Sequence, residues 1–264
     1  ALLRTDLVMS LVLAVCALKG GRPIAGGGLA AYAAMSRVLP AVFALGLLVK
    51  FVAVGPAGVH GRQARVRVVW AFSVTLASLF WLSLIVHGPA YWQSFVEKIW
   101  QHNDSFGPWR VGFKHLFLGA YEYRVVDTHQ EVFHQRRAVW WTIQVLVLVA
   151  FTYLARRLKD WEALAMGFIL TFVLVAPTYY YFMMLVIPLL FFASRMESGI
   201  GVVGICWLFS SSSIAYLIED VIGRKLQLFY VLSLIVLGVC ILMAVGALLS
   251  ALRQDYKEPI TSSK

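Results

Sequence analysis

Long apolar runs separated by short basic turns organise this chain. The runs lie near residues 7–18, 23–36, 40–54, 68–86, 138–155, 161–176, a stretch ending near 194, 199–218 and 226–252. A hydrocarbon core of about 30 Å needs roughly 20 apolar residues as a helix. A transmembrane β-barrel would instead alternate over about ten residues per strand. The unbroken runs therefore predict an all-α polytopic transmembrane helical bundle with about nine membrane segments. They form one helical domain over 1–252, followed by a polar tail, 253–264, expected to be disordered. Residues 55–67 read as a loop carrying Arg62, Arg65 and Arg67.

The second and third runs are short for a full crossing. The second is rich in Gly and Ala (Gly26–Gly28, Ala30, Ala31, Ala33, Ala34), which lets helix backbones approach closely in a bilayer. Pro40 suits the first turn of the third run. Arg37 lies between them, so the two runs are expected to be tilted or to form a broken pair around it.

One polar stretch, 87–137, interrupts the apolar pattern. It holds five of the six histidines, six Lys/Arg and five Asp/Glu, and is dense in aromatic residues from Tyr91 to Phe133. A charge at the bilayer centre costs roughly 3 kcal/mol or more, so this stretch belongs in water. Its aromatic content argues against disorder. Residues 91–101 have apolar positions at Trp92, Phe95, Val96, Ile99 and Trp100, the spacing of an amphipathic helix on a membrane surface. Gly107–Pro108 marks a turn, and 111–121 reads as a second short helix. The long outer-face loop is thus an ordered cap containing short amphipathic helices. It serves either as the border of a lipid-facing cleft or as a structural lid.

Composition agrees with the pattern: 61% of residues are hydrophobic and only 14% charged. A soluble domain would be nearer one quarter charged. The net charge of +10 would suggest nucleic acid in a soluble protein, but here it reads as topology, and no nucleic-acid partner is expected. Lys19, Arg22, Arg62–Arg67, Arg156–Lys159, Arg195 and the tail fall on one side, which the positive-inside bias makes cytoplasmic. The loop, Arg37, Tyr179–Tyr181 and Glu219–Asp220 then fall on the other, extracytoplasmic side. That topology puts residue 1 outside, and further helices are expected to precede it. Cys16, Cys206 and Cys240 lie within apolar runs and read as small packing residues.

Outer-side cations carry the candidate chemistry. Arg37, Arg110, Lys114, Arg124, Arg136 and Arg137 could hold a phosphate-linked lipid, because the guanidinium fork matches phosphate oxygens and lysine adds a point charge. The competing reading is ion pairing with Glu97, Asp104, Glu122, Asp127 and Glu131, or headgroup contact. Arg37, set between apolar runs, is by default a functional-site candidate. His102, His115, His129 and His134 lack a recognised ligand spacing, so no metal and no cofactor is expected. General acid–base work could fall to His102, Asp104, Asp127 or His129. Ser210–Ser213 reads as helix-packing polarity.

Three sets of residues carry a family resemblance. Gly20-Gly-Arg-Pro-Ile-Ala-Gly26 runs into Leu29–Ala34 and Arg37-Val-Leu-Pro-Ala-Val-Phe43. Trp92–Phe95 is followed by Lys98-Ile-Trp-Gln-His-Asn103 and then Val111-Gly112. Pro177-Thr-Tyr-Tyr-Tyr181 leads into an apolar helix. Over about residues 15–195 the chain resembles the C-terminal part of GT-C type glycosyltransferases, in particular the family 87-like, polyprenyl-phosphate-sugar-dependent mannosyltransferase group.

The resemblance implies inverting sugar transfer from a polyprenyl-phosphate donor on the extracytoplasmic face of a bacterial inner membrane. Membrane lipids and a polyprenyl-phosphate-linked sugar would be the partners. Arg37, His102, Asn103, Arg110, Lys114, Tyr179, Tyr180 and Tyr181 would line the donor or acceptor cleft. The family's acidic base, on a first outer loop, has no match here, since Asp6 is the one acid before Glu97. The catalytic candidates are then His102, Asp104 and Asp127, or the catalytic half lies upstream. The alternative is a non-catalytic transmembrane subunit packed among other membrane subunits.

Overall fold

A computed structural model describes residues 2–54, 59–104, 110–119, 126–222 and 226–257. The described residues are helical throughout, apart from short turns and an isolated bridge between Arg110 and Thr178. The helices are α1 (Leu2–Lys19), α2 (Pro23–Ser36), α3 (Val38–Val54), α4 (Val59–His87), α5 (Pro89–Asp104) and α6 (Phe113–Gly119). They continue as α7 (Val126–Gln135), α8 (Arg137–Ala155), α9 (Asp160–Leu174), α10 (Val186–Ala193), α11 (Gly199–Ile222) and α12 (Leu226–Lys257). A 3-10 turn, Tyr179–Leu185, leads into α10.

Four stretches are long and apolar enough to cross a membrane: Gln63–His87 in α4, Arg137–Ala155, Gly199–Ile218 in α11 and Leu228–Leu252 in α12. Val38–Val54 and Phe182–Ala193 are apolar but shorter. The outward faces of the four long stretches carry large exposed apolar side chains, among them Trp70, Trp81, Val145, Leu146, Phe209 and Leu217, as a lipid-facing surface requires. Two expectations need correcting. The basic stretch before residue 68 is not a loop from end to end, because α4 is already helical from Val59. The polar tail begins as helix, because α12 runs on to Lys257. Residues 258–264 lie outside the described residues.

Local chemistry sets the helix ends. Pro23 occupies the first turn of α2, where a missing N–H costs nothing. Arg37 is extended (φ −161°, ψ 155°) and makes the break between α2 and α3. α9 stops at Val175, also extended, two residues before Pro177, which cannot continue the helix and disfavours helical geometry at Ala176. Pro188 sits in the first turn of α10, where it removes no intrahelical bond.

α9 is the centre of the fold. Trp161–Phe168 and Leu170–Val173 are all buried, so this helix is enclosed on every side. α1, α3, α6, α8, α10 and α12 pack around it. In lipid there is little hydrophobic force between helices, and close backbone approach takes its place. Gly167 and Gly46 provide that approach where α3 crosses α9. A Cβ on Gly167 would come within 2.4 Å of the Phe43 carbonyl oxygen, and one on Gly46 within 2.5 Å of the Ala163 carbonyl oxygen. Gly27 does the same between α2 and α4, against the Val68 carbonyl oxygen.

Charged contacts bring several helix ends together at one end of the bundle. Lys50, in α3 and almost fully buried, pairs with Asp160 at 2.5 Å and donates to the Leu158 carbonyl. Arg195, just after α10, pairs with Glu162 at 2.6 Å and reaches Ser250 of α12 at 3.4 Å. Glu162 also accepts from the Lys159 N–H at 2.8 Å, capping the positive end of α9. Lys19, Lys159 and Arg195, widely separated along the chain, thus share one end. The described part of the polar stretch after Arg110 packs at the other, beside the C-terminal end of α9.

Candidate functional site

The polar stretch is anchored to the bundle by backbone bonds. Arg110 bridges Thr178, and the Val111 N–H donates to the Pro177 carbonyl at 2.7 Å. The Gly112 N–H donates to Ser233 Oγ at 3.1 Å, and that hydroxyl donates to the Phe229 carbonyl at 2.7 Å. The backbones approach closely at Gly112, where a Cβ would stand 3.1 Å from Ala176 Cα and 3.2 Å from the Val175 carbonyl oxygen, so a larger residue would need its neighbours to give by a few tenths of an ångström. Ser233 is fully buried, so Ser233→Ala leaves a buried N–H without its acceptor, at a cost of about 1–3 kcal/mol. The expected result is faster protease cleavage within 87–137 in S233A, while S213A, an exposed serine on α11, cleaves at the wild-type rate.

α6 and α7 bring an aromatic cluster onto the start of α8. Trp140 is its hub, stacked on Phe113 (centroids 5.7 Å, 20°) and packed on Phe117 at 5.4 Å and Phe133 at 6.2 Å. Phe117, Leu118, Phe133 and Trp140 make a second core, which Phe113 joins to the main one through Phe172 at 6.5 Å. Lys114 is buried and holds its ammonium 3.9 Å from the centre of the Phe133 ring. Arg137 lies 5.0 Å over Trp141.

Beside this cluster is a recess of about 40 Å³ lined by Arg110, Lys114, Arg137, Gln144, Trp140 and Trp141, among others. Three cations from two parts of the chain, Arg110 with Lys114 and Arg137, therefore meet at one polar opening. Its volume suits a few water-sized groups, the scale of a phosphoryl head rather than of a sugar. Burial lowers the Arg110 guanidinium from its ordinary value, although an arginine stays charged at any working pH. Among the described residues, no carboxylate lines the recess. A separate apolar pocket of about 30 Å³ is walled by Val111, Phe172, Pro177, Thr178, Phe182 and Val236, among others.

The sequence candidates divide accordingly. Arg110 and Lys114 come together, joined by Arg137. Arg37 is exposed at the α2–α3 break and does not line this recess. His102, Asn103 and Asp104 end α5, Asp127 is in α7, and Tyr179–Tyr181 open the 3-10 turn next to Thr178. The side chains of all seven lie outside the described residues, as do those of Arg124 and His129. Among the described residues, no group of three His, Cys, Asp or Glu side chains is placed to hold a metal. Asp6 accepts from the Leu7 N–H at 2.7 Å and from the Tyr32 hydroxyl at 3.4 Å, which ties α1 to α2.

Lys50 and its partner Asp160 were not among the sequence candidates, nor were Glu162 and Arg195 as a pair. The signal was present: a lone lysine inside an apolar run, and two acids opening another. Comparison with protein-family models, with curated proteins and with solved structures returned no match to this chain.

Proposed function

We propose that the protein is an integral membrane module that binds a polyprenyl-phosphate-linked sugar on the extracytoplasmic face and takes part in transferring that sugar. The observation that carries this reading is the recess where Arg110, Lys114 and Arg137 converge beside Trp140 and Trp141. Phosphate oxygens suit two arginine forks and a lysine. The start of α8 adds a second reason. The N-terminal end of a helix carries positive partial charge, so an anion is stabilised there. Under the nine-segment topology this recess would lie at the outer interface, opposite the basic turns. His102, Asp104 and Asp127 remain the proposed acid–base candidates.

The small volume of the recess, which fits a phosphoryl group and not a sugar, favours the second reading, a subunit that binds the lipid without catalysing transfer. One experiment addresses both. Full-length protein in nanodiscs is titrated with a polyprenyl phosphate, and its retention is read by native mass spectrometry. Lys114→Gln and Arg137→Gln are each expected to weaken retention about tenfold, the loss of one charge-assisted phosphate contact. Unchanged retention in both variants would remove the recess as the phosphate site. Retention without sugar turnover, when a polyprenyl-phosphate sugar is supplied, selects the subunit.

A further inference from the structure

The end of the bundle opposite that recess holds a larger and separate cavity of about 570 Å³. Its wall comes from the close of α1 (Leu18, Lys19) and Gly21, the turn into α9 (Lys159–Glu162), the end of α10 (Ser194, Arg195) and Ser250 of α12. Its volume falls in the range of small-molecule sites.

The charges in the wall are not balanced. Asp160 is matched by Lys50, and Glu162 by Arg195. Arg195 is a fixed strut: it donates to Glu162 at 2.6 Å, to the Phe191 carbonyl at 3.1 Å, to Ser194 Oγ at 3.3 Å and to Ser250 Oγ at 3.4 Å. Once these pairs are formed, Lys19 and Lys159 remain as excess positive charge. Among the described residues, neither forms an ion pair. Both are exposed at the cavity. Trp161 lies between cations, with the Lys19 ammonium 5.2 Å and the Arg195 guanidinium 5.7 Å from its ring centre.

An apolar strip leads away from this opening. Met9, Leu13 and Cys16 are exposed on one face of α1, spaced by four and then three residues, and the next turn reaches Lys19. Phosphate at Lys19 and Lys159 with an acyl chain along that strip is the arrangement an anionic phospholipid would take. A basic pocket between membrane helices is a known setting for such headgroups.

We infer that this cavity is a second phosphate site, occupied by the headgroup of an anionic phospholipid held by Lys19 and Lys159 against Trp161. It is independent of the recess at Arg110 and goes beyond the proposed donor binding. The chemistry it shares with soluble ligands is phosphate, so the test separates the two sources.

The test uses full-length protein in nanodiscs of phosphatidylcholine with a minor share of phosphatidylglycerol. Lipid that stays bound after transfer to detergent is counted by native mass spectrometry. Wild type is expected to retain phosphatidylglycerol over phosphatidylcholine. The Lys19→Gln/Lys159→Gln variant is expected to lose that preference by about fivefold or more. Thermal unfolding of the variant checks the fold, because the Lys50–Asp160 and Arg195–Glu162 pairs are left in place. Lys114→Gln, at the other end, is expected to keep the full preference, which separates this inference from the donor reading. Equal preference in wild type and the double variant overturns the inference. Displacement of phosphatidylglycerol by millimolar inorganic phosphate, lost in the double variant, overturns the lipid source in favour of a soluble phosphate.

Discussion

Gly167→Ala is expected to lower the melting temperature of the protein by about 10 °C, a loss of roughly 3 kcal/mol at the upper end of overpacking costs. The added Cβ would stand 2.4 Å from the Phe43 carbonyl oxygen, 2.7 Å from Phe43 Cα and 2.9 Å from its carbonyl carbon. All three are backbone atoms of α3, so no side-chain rotation relieves the contact. The two helices must separate, and α9 contacts most of the bundle, so the damage spreads. Gly28→Ala is the control, since its new Cβ would meet only the Thr75 hydroxyl oxygen at 3.4 Å. That variant should melt within about 2 °C of wild type. Thermal unfolding followed by size-exclusion chromatography in one detergent reads both. If G167A and G28A melt together, α3 and α9 do not cross backbone to backbone.

The second large effect belongs to Lys50. Asp160→Asn is expected to cost about 3 kcal/mol, because it leaves a buried ammonium without its counter-charge. Lys50→Met should cost less, about 1 kcal/mol, since the Asp160 side chain left behind is 26% exposed and can be hydrated. The pair's asymmetric exposure, 6% against 26%, decides that order. The double variant should resemble Lys50→Met, because once the ammonium is gone the asparagine opposes nothing. A double-mutant cycle on melting or denaturant curves measures the coupling. Additive losses would mean that the two charges do not interact, and that the Leu158 carbonyl alone holds the lysine.

Much of the architecture was legible in the run lengths. Helix α2 begins and ends where Pro23 and Arg37 predict, and α8, α9 and α11 begin within a residue of their expected starts. The amphipathic spacing from Trp92 to Trp100 is a helix, and so is most of the described stretch after Gly112. The departures lie where helix propensity outlasts hydrophobicity. Basic residues from Arg62 to Arg67 and polar ones from Arg253 to Lys257 read as loop and tail, yet they extend α4 and α12. Hydropathy reports where a segment can enter lipid, and backbone hydrogen bonding carries a helix past that boundary.

The candidate site was legible only as residue types. Arg110 and Lys114 could be named from the phosphate chemistry of cations in a polar cap, but nothing in their spacing selects Arg137 over Arg37 or Arg124. Partner choice depends on which helices abut, and that is settled by contacts such as Gly46 on Gly167 and Ser233 on Gly112. The sequence by itself determined the helical class, the main breaks and the polar character of the stretch from His87 to Arg137, because each follows from local composition and backbone restriction. The tertiary structure alone decided which charges meet: Arg110, Lys114 and Arg137 around one recess, Lys50 with Asp160, and Lys19 with Lys159 at the far cavity. Electrostatic pairing acts over a few ångströms in space, whereas Lys50 and Asp160 lie 110 residues apart along the chain.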